Sequence, residues 1–296
     1  MSYRIGLYEK AMPNQLNLEE KLSSAKQAGF DFVELSIDET TEKLTRLDWT
    51  EAECRNISNA IARTGIPFGS ICLSCHRKYP LGSTKPEIQG KSIEILQKAI
   101  LLANRLGARI IQLAGYDVYY EPGTEQTREI FLQNLWICTE FAACYGVLLG
   151  FETMETPFMD TVEKAMLYVG KINSPYLGVY PDLGNLTNSA AIYKKCVTED
   201  LKTGQGHLLA MHLKETAPGK YRDLRFGDGE VDFLTGIKAA RALGIRLFVT
   251  EAWDQGESDW FAQICRIQEF AHVALEEVFA SEITASAPQI SSTTMF

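Results

Sequence analysis

The chain has 296 residues, of which 46% are hydrophobic and 23% are charged. It can therefore bury a large core, and its length suits either one barrel or two ordinary domains. Its 29 basic and 38 acidic residues give a net charge of −9, so we expect neither nucleic acid nor an acidic membrane surface as a partner.

The first segment of the chain carries charges where a secretory signal requires an unbroken apolar run. Arg4, Glu9 and Lys10 lie there, and no later apolar run is long enough to span a bilayer. The seven cysteines are an odd number scattered through core-like segments, and Cys72 and Cys75 have no further zinc ligands nearby. We predict a cytoplasmic protein whose cysteines are packed as free thiols.

Short apolar runs alternate with helix-like stretches along the chain, which is the pattern of an α/β protein. Eight runs have the length and composition of strands: YRIGLYE, FDFVELSI, PFGSICLS, ARIIQLAG, GVLLGFETM, LGVYPDLGN, LLAMHLKE and RLFVTEAW. Seven stretches are predicted helices: LEEKLSSAKQAGF, TEAECRNISNAIARTG, KSIEILQKAILLANRLGA, EQTREIFLQNLWICTEFAACYG, DTVEKAMLYVGKI, DFLTGIKAARALG and WFAQICRIQEFAHVALEEVFA.

Start and stop signals support these helices. Thr50 is placed to cap the second one, and Gly65 and Gly107 stand where the second and third should end. No linker interrupts the alternation, so we predict one closed parallel (β/α)8 TIM barrel over residues 1–280 rather than a doubly wound sheet. Residues 281–296 are rich in Ser and Thr and are predicted to form a flexible tail.

Four potential metal ligands stand at the ends of the last four strand-like runs. They are Glu152, Asp182, His212 and Glu251, at separations of 30, 30 and 39 residues. The C-terminal ends of barrel strands meet at one mouth, where catalytic groups collect. One divalent ion could therefore bind all four side chains.

Three carboxylates and one imidazole suit a fairly hard ion. We expect Mn²⁺ first, with Zn²⁺, Co²⁺ or Mg²⁺ as alternatives. The competing interpretation is that strand-end carboxylates such as Asp182 cap the helices that follow them.

Further polar and aromatic groups are placed near the same mouth by their positions at strand ends. They are predicted to be walls of the site or groups that support it: Tyr8, Glu9, Glu34, Tyr116 and Asp117. Trp253 either closes one side of the pocket or packs against the outer helices. The long loop after the seventh run, residues 216–233, is the predicted substrate loop because its glycines and basic residues suit an anion.

Five motifs, in this order, closely resemble a known enzyme family: CLSCHRKYPLGS, IQLAGYDVYY, YPDLGN, HLKETAPG and FGDGEVDF. They resemble the L-ribulose-5-phosphate 3-epimerases of ascorbate and related sugar-acid utilisation, and the resemblance runs from about Tyr3 to about residue 280. These enzymes are xylose-isomerase-like TIM barrels. The resemblance implies the same fold, a metal set formed by Glu152, Asp182, His212 and Glu251, and a homodimer.

The reaction that the resemblance implies interconverts L-ribulose 5-phosphate and L-xylulose 5-phosphate. Proton transfer at C3 would pass through a cis-enediolate stabilised by the divalent ion. Glu152 and Glu251 would be the two catalytic bases, one on each face of C3. Several relatives carry a histidine three residues after the metal-bound aspartate, whereas this chain has Asn185, which can hydrogen-bond a sugar hydroxyl but cannot carry a proton.

The substrate phosphate needs cations in a chain with net charge −9. Lys214, with Arg222 or Arg225, is the predicted set. The alternative is that these basic groups form solvated surface ion pairs with Glu215, Asp223 or Asp228. His76 is predicted either to contact a sugar hydroxyl at the mouth or to pack on Tyr79.

Several other functions stay open at this point. The same residues would serve an epimerase of an unphosphorylated ketose or an aldose–ketose isomerase, because fold alone does not determine the reaction. A metal-dependent endonuclease of the apurinic type would require a basic face and more histidines than the four present. A sugar-binding protein without activity would follow only if the four ligands failed to meet.

Overall fold

The computed structural model describes residues 3–280, in which eight parallel strands form a nearly closed barrel surrounded by helices. The predicted (β/α)8 fold is confirmed. The predicted tail, residues 281–296, lies outside the described residues. The strands are β1 (Arg4–Tyr8), β2 (Phe32–Ile37), β3 (Phe68–Leu73), β4 (Ile110–Ala114), β5 (Leu148–Glu152), β6 (Leu177–Tyr180), β7 (Met211–Leu213) and β8 (Leu247–Thr250).

The helices follow the strands as the repeat predicts, with additions that the sequence pattern did not reveal. Their bounds are α1 (Leu18–Gln27), α2 (Thr41–Leu44), α3 (Glu51–Thr64), α4 (Pro86–Leu106), α5 (Glu125–Tyr145), α6 (Val162–Ile172), α7 (Leu183–Tyr193), α8 (Val197–Thr203), α9 (Phe233–Ala242) and α10 (Trp260–Ala280). No helix was predicted between the sixth and seventh strands, where α7 and α8 lie. The short α2 was not predicted either.

The predicted helix boundaries have physical causes in the structure. Thr50 caps α3 through a capping box with Glu53, which satisfies two backbone N–H groups at the helix start. Gly65 and Gly107 end α3 and α4 in the left-handed conformation, with φ of 69° and 78°, a region that costs glycine no steric clash.

The barrel closes through two different kinds of contact. β1 pairs in parallel with both β2 and β8, and the continuous ladder runs in the order β6-β5-β4-β3-β2-β1-β8-β7. Between β6 and β7 only isolated bridges join the strands, at Val179–Leu208 and Asp182–His212. The second bridge brings two of the predicted metal ligands next to each other.

The lower part of the barrel interior is packed with apolar side chains around Phe32. A Cβ atom built on Gly6 would lie 2.3 Å from the Phe32 ring, and one on Gly69 would lie 2.4 Å from it. The ring of Phe32 therefore occupies the space that the missing side chains of β1 and β3 leave free. Above this layer the interior becomes polar, with buried Glu34, Ser70 and Gln112.

No helix of residues 3–280 has the length and apolar composition needed to cross a membrane. All seven cysteines are free thiols, and Cys72 and Cys75 of the CxxC pair are both buried. Burial raises the pKa of the Cys72 thiol well above its ordinary value, so it is protonated at neutral pH.

Glu9, which was predicted to be a wall or a supporting group of the barrel mouth, forms the centre of a buried ion cluster directly after β1. Its carboxylate accepts hydrogen bonds from Lys21 at 3.1 Å, Lys43 at 2.7 Å and Arg46 at 2.8 Å, and it also accepts the backbone N–H of Ser36. Burial alone would raise the pKa of Glu9, but Arg46 and the two lysines outweigh it and hold the pKa far below its ordinary value. One carboxylate thus joins β1, α1 and the segment after β2.

Replacing Glu9 with Gln should destabilise the fold, because Lys21, Lys43 and Arg46 would lose the buried carboxylate that they share. We expect E9Q to lower the free energy of unfolding by about 3–5 kcal/mol in chemical denaturation at pH 7. The exposed pair Glu19–Arg63 provides the control, and E19Q should change stability little.

The same variant makes a prediction about pH. A carboxylate whose pKa is lowered on folding stabilises the protein above its unfolded pKa of about 4.5, and this contribution is lost as the pH falls towards the folded value. Between about pH 4.5 and pH 2, unfolding free energy should therefore fall less steeply in E9Q than in the wild type. Parallel slopes would show that Glu9 does not ionise as the cluster requires.

Candidate metal centre and active site

The four predicted metal ligands converge at the C-terminal mouth of the barrel. Glu152 is the last residue of β5, Asp182 follows β6, His212 lies in β7 and Glu251 follows β8. Each offers one ligand atom, and these atoms all lie within 4.8 Å of one another. All four side chains are buried, so the cluster is a site inside the protein rather than a chance grouping of surface acids.

The imidazole of His212 presents one nitrogen to the cluster and the other to the barrel interior. Its Nδ1 lies 3.5 Å from Glu152 Oε1, 3.7 Å from Glu251 Oε2 and 3.8 Å from Asp182 Oδ2. Its Nε2 lies 2.7 Å from the carboxylate of Glu34 on β2. The ring of Tyr180 packs edge-on against the imidazole at 4.9 Å between ring centres.

Asp182 is both a helix cap and a member of the cluster, so the two competing interpretations of this residue are compatible. Its Oδ1 accepts the backbone N–H of Asn185 at 2.6 Å and so begins α7, while its Oδ2 faces His212 and Lys214. The cap fixes the carboxylate in place. Glu152 is held in a similar way, because the Gln112 side chain donates a hydrogen bond to its Oε2.

Three carboxylates so close together repel one another, and the charge of Lys214 offsets part of this repulsion. Lys214 Nζ lies 3.1 Å from both Asp182 Oδ2 and Glu251 Oε2. Burial would raise the pKa of Glu251, but Lys214 and His212 lower it to about 2. Burial and the charge of Glu251 raise the pKa of Glu152, and burial raises that of Asp182 to about 7.

The residues fit a divalent cation by their unsatisfied atoms as well as by their chemistry. His212 Nδ1 is a buried atom that makes no hydrogen bond within the described part of the chain, and Asp182 Oδ2 and Glu251 Oε2 make no hydrogen bond there beyond their ion pairs with Lys214. Buried polar atoms are normally paired, since an unpaired one costs free energy. A cation bound among them would satisfy all three, and a set of one nitrogen and three oxygens suits Mn²⁺, Zn²⁺ or Co²⁺.

A small cavity of about 40 Å³ opens onto the two glutamates of the cluster. Of the predicted substrate residues, Asn185, Lys214 and Arg222 line it. Asn185 donates from Nδ2 to the Thr153 carbonyl at 2.7 Å, and its Oδ1 is buried without a hydrogen-bond partner. This oxygen is therefore available to accept a hydrogen bond from a ligand hydroxyl.

Two predicted substrate residues lie elsewhere. His76 is buried beneath α4, where its Nε2 contacts the Ser92 carbonyl at 3.2 Å, and it does not line the cavity. Arg225 is exposed and forms an ion pair at 2.9 Å with Glu257, which is not one of the three acids that the alternative interpretation named. The loop that carries Arg222 and Arg225 turns between them, which the sequence could not show.

Lys10 and Arg77 also line the cavity, and the sequence analysis did not propose either of them as a substrate residue. Arg77 lies over the rings of Tyr116 and Tyr119, and its buried Nε has no hydrogen-bond partner. Lys10 forms an ion pair with Asp38. Lys10 lies two residues after β1 and Arg77 four residues after β3, so basic residues shortly after strand ends were the sequence signal for both.

The remaining predicted mouth residues divide into walls and structural groups. Tyr8 and Trp253 line the cavity and pack edge-to-face, with ring centres 6.0 Å apart. Tyr116 donates to Glu155 at 2.8 Å beside the cavity. Asp117 accepts a hydrogen bond from Thr127 at 2.7 Å and so holds the start of α5 rather than the site.

A second cavity of about 1000 Å³ lies on the other side of Trp253, between the loop after β7 and α10. The two cavities share Lys214, Arg222, Glu251 and Trp253 as a common wall. The Arg222 guanidinium stacks 5.3 Å from the centre of the Trp253 ring. This stack separates the small cavity at the cluster from the larger space.

Comparison with known proteins supports these features. Residues 22–269 match the family described as xylose isomerase-like TIM barrel. The chain is 39% identical to L-ribulose-5-phosphate 3-epimerase UlaE of Escherichia coli, over 90% of this chain and 93% of that protein. The corresponding protein of Shigella boydii is 39% identical over the same shares of the two chains.

Solved structures share the fold at low sequence identity. A structure of L-ribulose 3-epimerase superposes with a TM-score of 0.77 at 18% identity, covering 97% of this chain and 99% of that one. A D-psicose 3-epimerase of Clostridium cellulolyticum, solved with D-tagatose, gives a TM-score of 0.77 at 13% identity, covering 92% of this chain and 99% of that one. These likenesses establish a shared barrel architecture.

Removing one cluster carboxylate should abolish tight binding of a divalent ion. We expect D182N to weaken Mn²⁺ binding by more than about 100-fold, since even groups that only support a ligand are worth about 10- to 100-fold. Titration of metal-stripped protein against a chelator of known affinity measures this. The control is D160N, because Asp160 is an equally buried carboxylate paired with Lys164 outside the cluster. Equal affinities in the two variants would contradict the assignment.

Proposed function

This chain belongs to the L-ribulose-5-phosphate 3-epimerases of the xylose isomerase-like TIM barrel family, and we propose that it interconverts L-ribulose 5-phosphate and L-xylulose 5-phosphate. Such an enzyme is an isomerase acting on a small sugar phosphate. The single observation that carries the proposal is the buried convergence of Glu152, Asp182, His212 and Glu251 at the barrel mouth. Similarity to the curated epimerases over nearly the whole chain supports it.

The reaction requires removal of the proton on C3 and its return to the opposite face. Glu152 and Glu251 are suited to this, because they reach the same cavity from β5 and from the end of β8, three strands apart around the barrel. We assign one as the base and the other as the acid, with the roles exchanged in the reverse direction. When bound, a divalent ion would supply positive charge that stabilises the negative charge developing on the substrate oxygens.

Asp182 and His212 would hold the ion without transferring protons. Asp182 is fixed by its role as the cap of α7, and His212 by its contact with Glu34. Lys214 lies between two cluster carboxylates, so it is placed to offset their charge and to contact substrate oxygens at the reacting end. Asn185 would accept a hydrogen bond from a sugar hydroxyl through its unpaired Oδ1.

The phosphate needs cations further from the cluster, and three line the cavity: Lys10, Arg77 and Arg222. Arg77 is the best placed because its Nε makes no hydrogen bond to any residue that the structure describes. Arg222 Nη2 lies 3.9 Å from Glu155 Oε1, so a phosphate would compete with the Glu155 carboxylate for the Arg222 guanidinium. An arginine can bind phosphate through two parallel hydrogen bonds.

The small cavity has a volume of about 40 Å³, whereas ligand pockets generally measure about 300–1000 Å³. It is therefore too small for a pentulose phosphate. Substrate binding therefore requires a wall to move. The stack of Arg222 on Trp253 is the wall that adjoins free space, because the larger cavity lies directly behind it. We assign movement of this stack to substrate entry.

Further features of the proposal rest on the family. Mn²⁺ is our first choice of ion, with Zn²⁺, Co²⁺ or Mg²⁺ as alternatives, because the donor set of three carboxylates and one imidazole accepts each of them. We also propose that the enzyme is a homodimer and acts in the cytoplasm, in ascorbate or sugar-acid utilisation.

Turnover in deuterium oxide tests the reaction and the two bases. Metal-loaded wild type should convert L-ribulose 5-phosphate to L-xylulose 5-phosphate with deuterium at C3, followed by NMR. E152Q and E251Q should each lower epimerisation by about 10²- to 10⁴-fold, since each loses one proton-transfer group. If each glutamate serves one face, each variant should still exchange the C3 hydrogen of one epimer only.

The control is E163Q, because Glu163 lies on the surface of α6 and pairs with Lys195. Metal content is measured in every variant, so that loss of the ion is separated from loss of a base. Product without deuterium would contradict proton transfer with solvent. Lack of turnover by the metal-loaded wild type would favour another sugar or an aldose–ketose isomerisation.

A second test concerns the phosphate. R77A should lower kcat/KM for L-ribulose 5-phosphate by about 10- to 100-fold, the value of one or two hydrogen bonds to a charged group, and R222A should act in the same direction. R225A is the matched control, since Arg225 lies in the same loop as Arg222 but pairs with Glu257 outside the small cavity. Activity on unphosphorylated L-ribulose should change less than threefold or so in all three. Unchanged kcat/KM in R77A and R222A would contradict the phosphorylated substrate.

A further inference from the structure

Glu34 is a buried carboxylate that belongs to neither the cluster nor the ion network of Glu9. It lies in β2, and β2 is three strands away from β7 along the sheet. Its side chain is fully buried, and its Oε1 lies 2.7 Å from Nε2 of His212. This carboxylate therefore reaches across the barrel interior to the imidazole of a cluster residue.

The other oxygen of Glu34 is anchored by two hydroxyl groups from different strands. Ser70 of β3 donates to Oε2 at 2.6 Å, and Tyr180 of β6 donates to the same atom at 3.2 Å. Only Oε1 is directed at His212. The carboxylate is thus held by its own partners, and its position does not depend on the imidazole alone.

The contact with Glu34 determines which nitrogen of His212 carries a hydrogen. A neutral imidazole carries a hydrogen on one nitrogen and a lone pair on the other. In the contact with Glu34 a carboxylate oxygen accepts the hydrogen bond, so the hydrogen must be on Nε2. The lone pair is then on Nδ1, which faces Glu152, Asp182 and Glu251 at 3.5–3.8 Å.

We propose that Glu34 is a positioning residue for the metal centre: its contact with Nε2 fixes the ring orientation and the tautomer in which His212 offers Nδ1 to a divalent ion. Histidine ligands commonly donate their second N–H to a carboxylate, and loss of that partner lowers metal affinity. The inference rests on the proposed metal-dependent function and adds to it a residue outside the ligand set. This role distinguishes Glu34 from a residue that only packs within the barrel interior.

Metal affinity tests the inference without reference to turnover. We expect E34Q, studied as the full chain after removal of metal, to bind Mn²⁺ about 10- to 100-fold more weakly than the wild type in chelator competition. The visible absorption bands of the Co²⁺-loaded protein should also shift, because the imidazole would no longer be held in one orientation. A general loss of packing would lower the melting temperature of metal-free protein but would move neither of these readouts in the protein that remains folded.

S70A is the matched control. Ser70 contacts the opposite oxygen of the same carboxylate, so its removal disturbs the buried network but leaves the contact between Glu34 and His212 in place. S70A should bind Mn²⁺ within about threefold of the wild type and show an unchanged Co²⁺ spectrum. If E34Q does not fold, E34D is measured instead, since a side chain shorter by one methylene group cannot keep both the anchor and the imidazole contact; it should weaken Mn²⁺ binding in the same way.

The role of Glu34 is refuted if a folded E34Q or E34D binds Mn²⁺ as tightly as the wild type and its Co²⁺-loaded form has the wild-type absorption spectrum. It is also refuted if S70A weakens Mn²⁺ binding as much as E34Q does. A wild type that binds no divalent ion would refute it as well. Turnover is measured separately on the wild type. A wild type that binds Mn²⁺ but does not epimerise L-ribulose 5-phosphate would refute the proposed function and leave the role of Glu34 intact.

Discussion

Mutual repulsion among three buried carboxylates is the constraint on which the rest of the site depends. Glu152, Asp182 and Glu251 are brought within a few ångströms of one another in a region from which water is largely excluded, where like charges interact strongly. Lys214 is the cation that lies between two of them. A divalent ion at the centre of the cluster would bring the opposing charges closer to balance, so the geometry is suited to holding an ion tightly.

The polar upper layer of the barrel interior also follows from the need to hold these buried charged groups. Interior positions of such barrels are mostly filled by branched apolar residues, and burying polar groups costs free energy unless they are hydrogen-bonded. Here Phe32 fills the lower interior, whereas Glu34, Ser70 and Gln112 lie above it. Each of these polar side chains has a buried partner, and two of them reach members of the cluster. Along β2 the interior therefore changes from an apolar layer at Phe32 to a polar layer at Glu34, two residues later.

The sequence predicted the barrel and the metal cluster because both follow from periodic features. Strand ends recur at regular spacing, and a strand-end carboxylate such as Glu152 must reach the mouth whichever helices lie outside. Side chains in loops obey no such rule. Arg222 and Arg225 differ by three positions, yet one lines the cavity and the other pairs with Glu257. Glu9 has the sequence position of a mouth residue, but its carboxylate binds Lys21 and Arg46, which are distant in sequence.

Asp182 shows why a structural and a catalytic interpretation of one residue need not compete. A carboxylate has two oxygens, and a helix cap uses only one of them. Oδ1 of Asp182 begins α7, and the helix in turn holds Oδ2 towards His212. The backbone bridge between the same two residues closes the barrel at its weakest seam, between β6 and β7. The position of this carboxylate is therefore set by the fold itself.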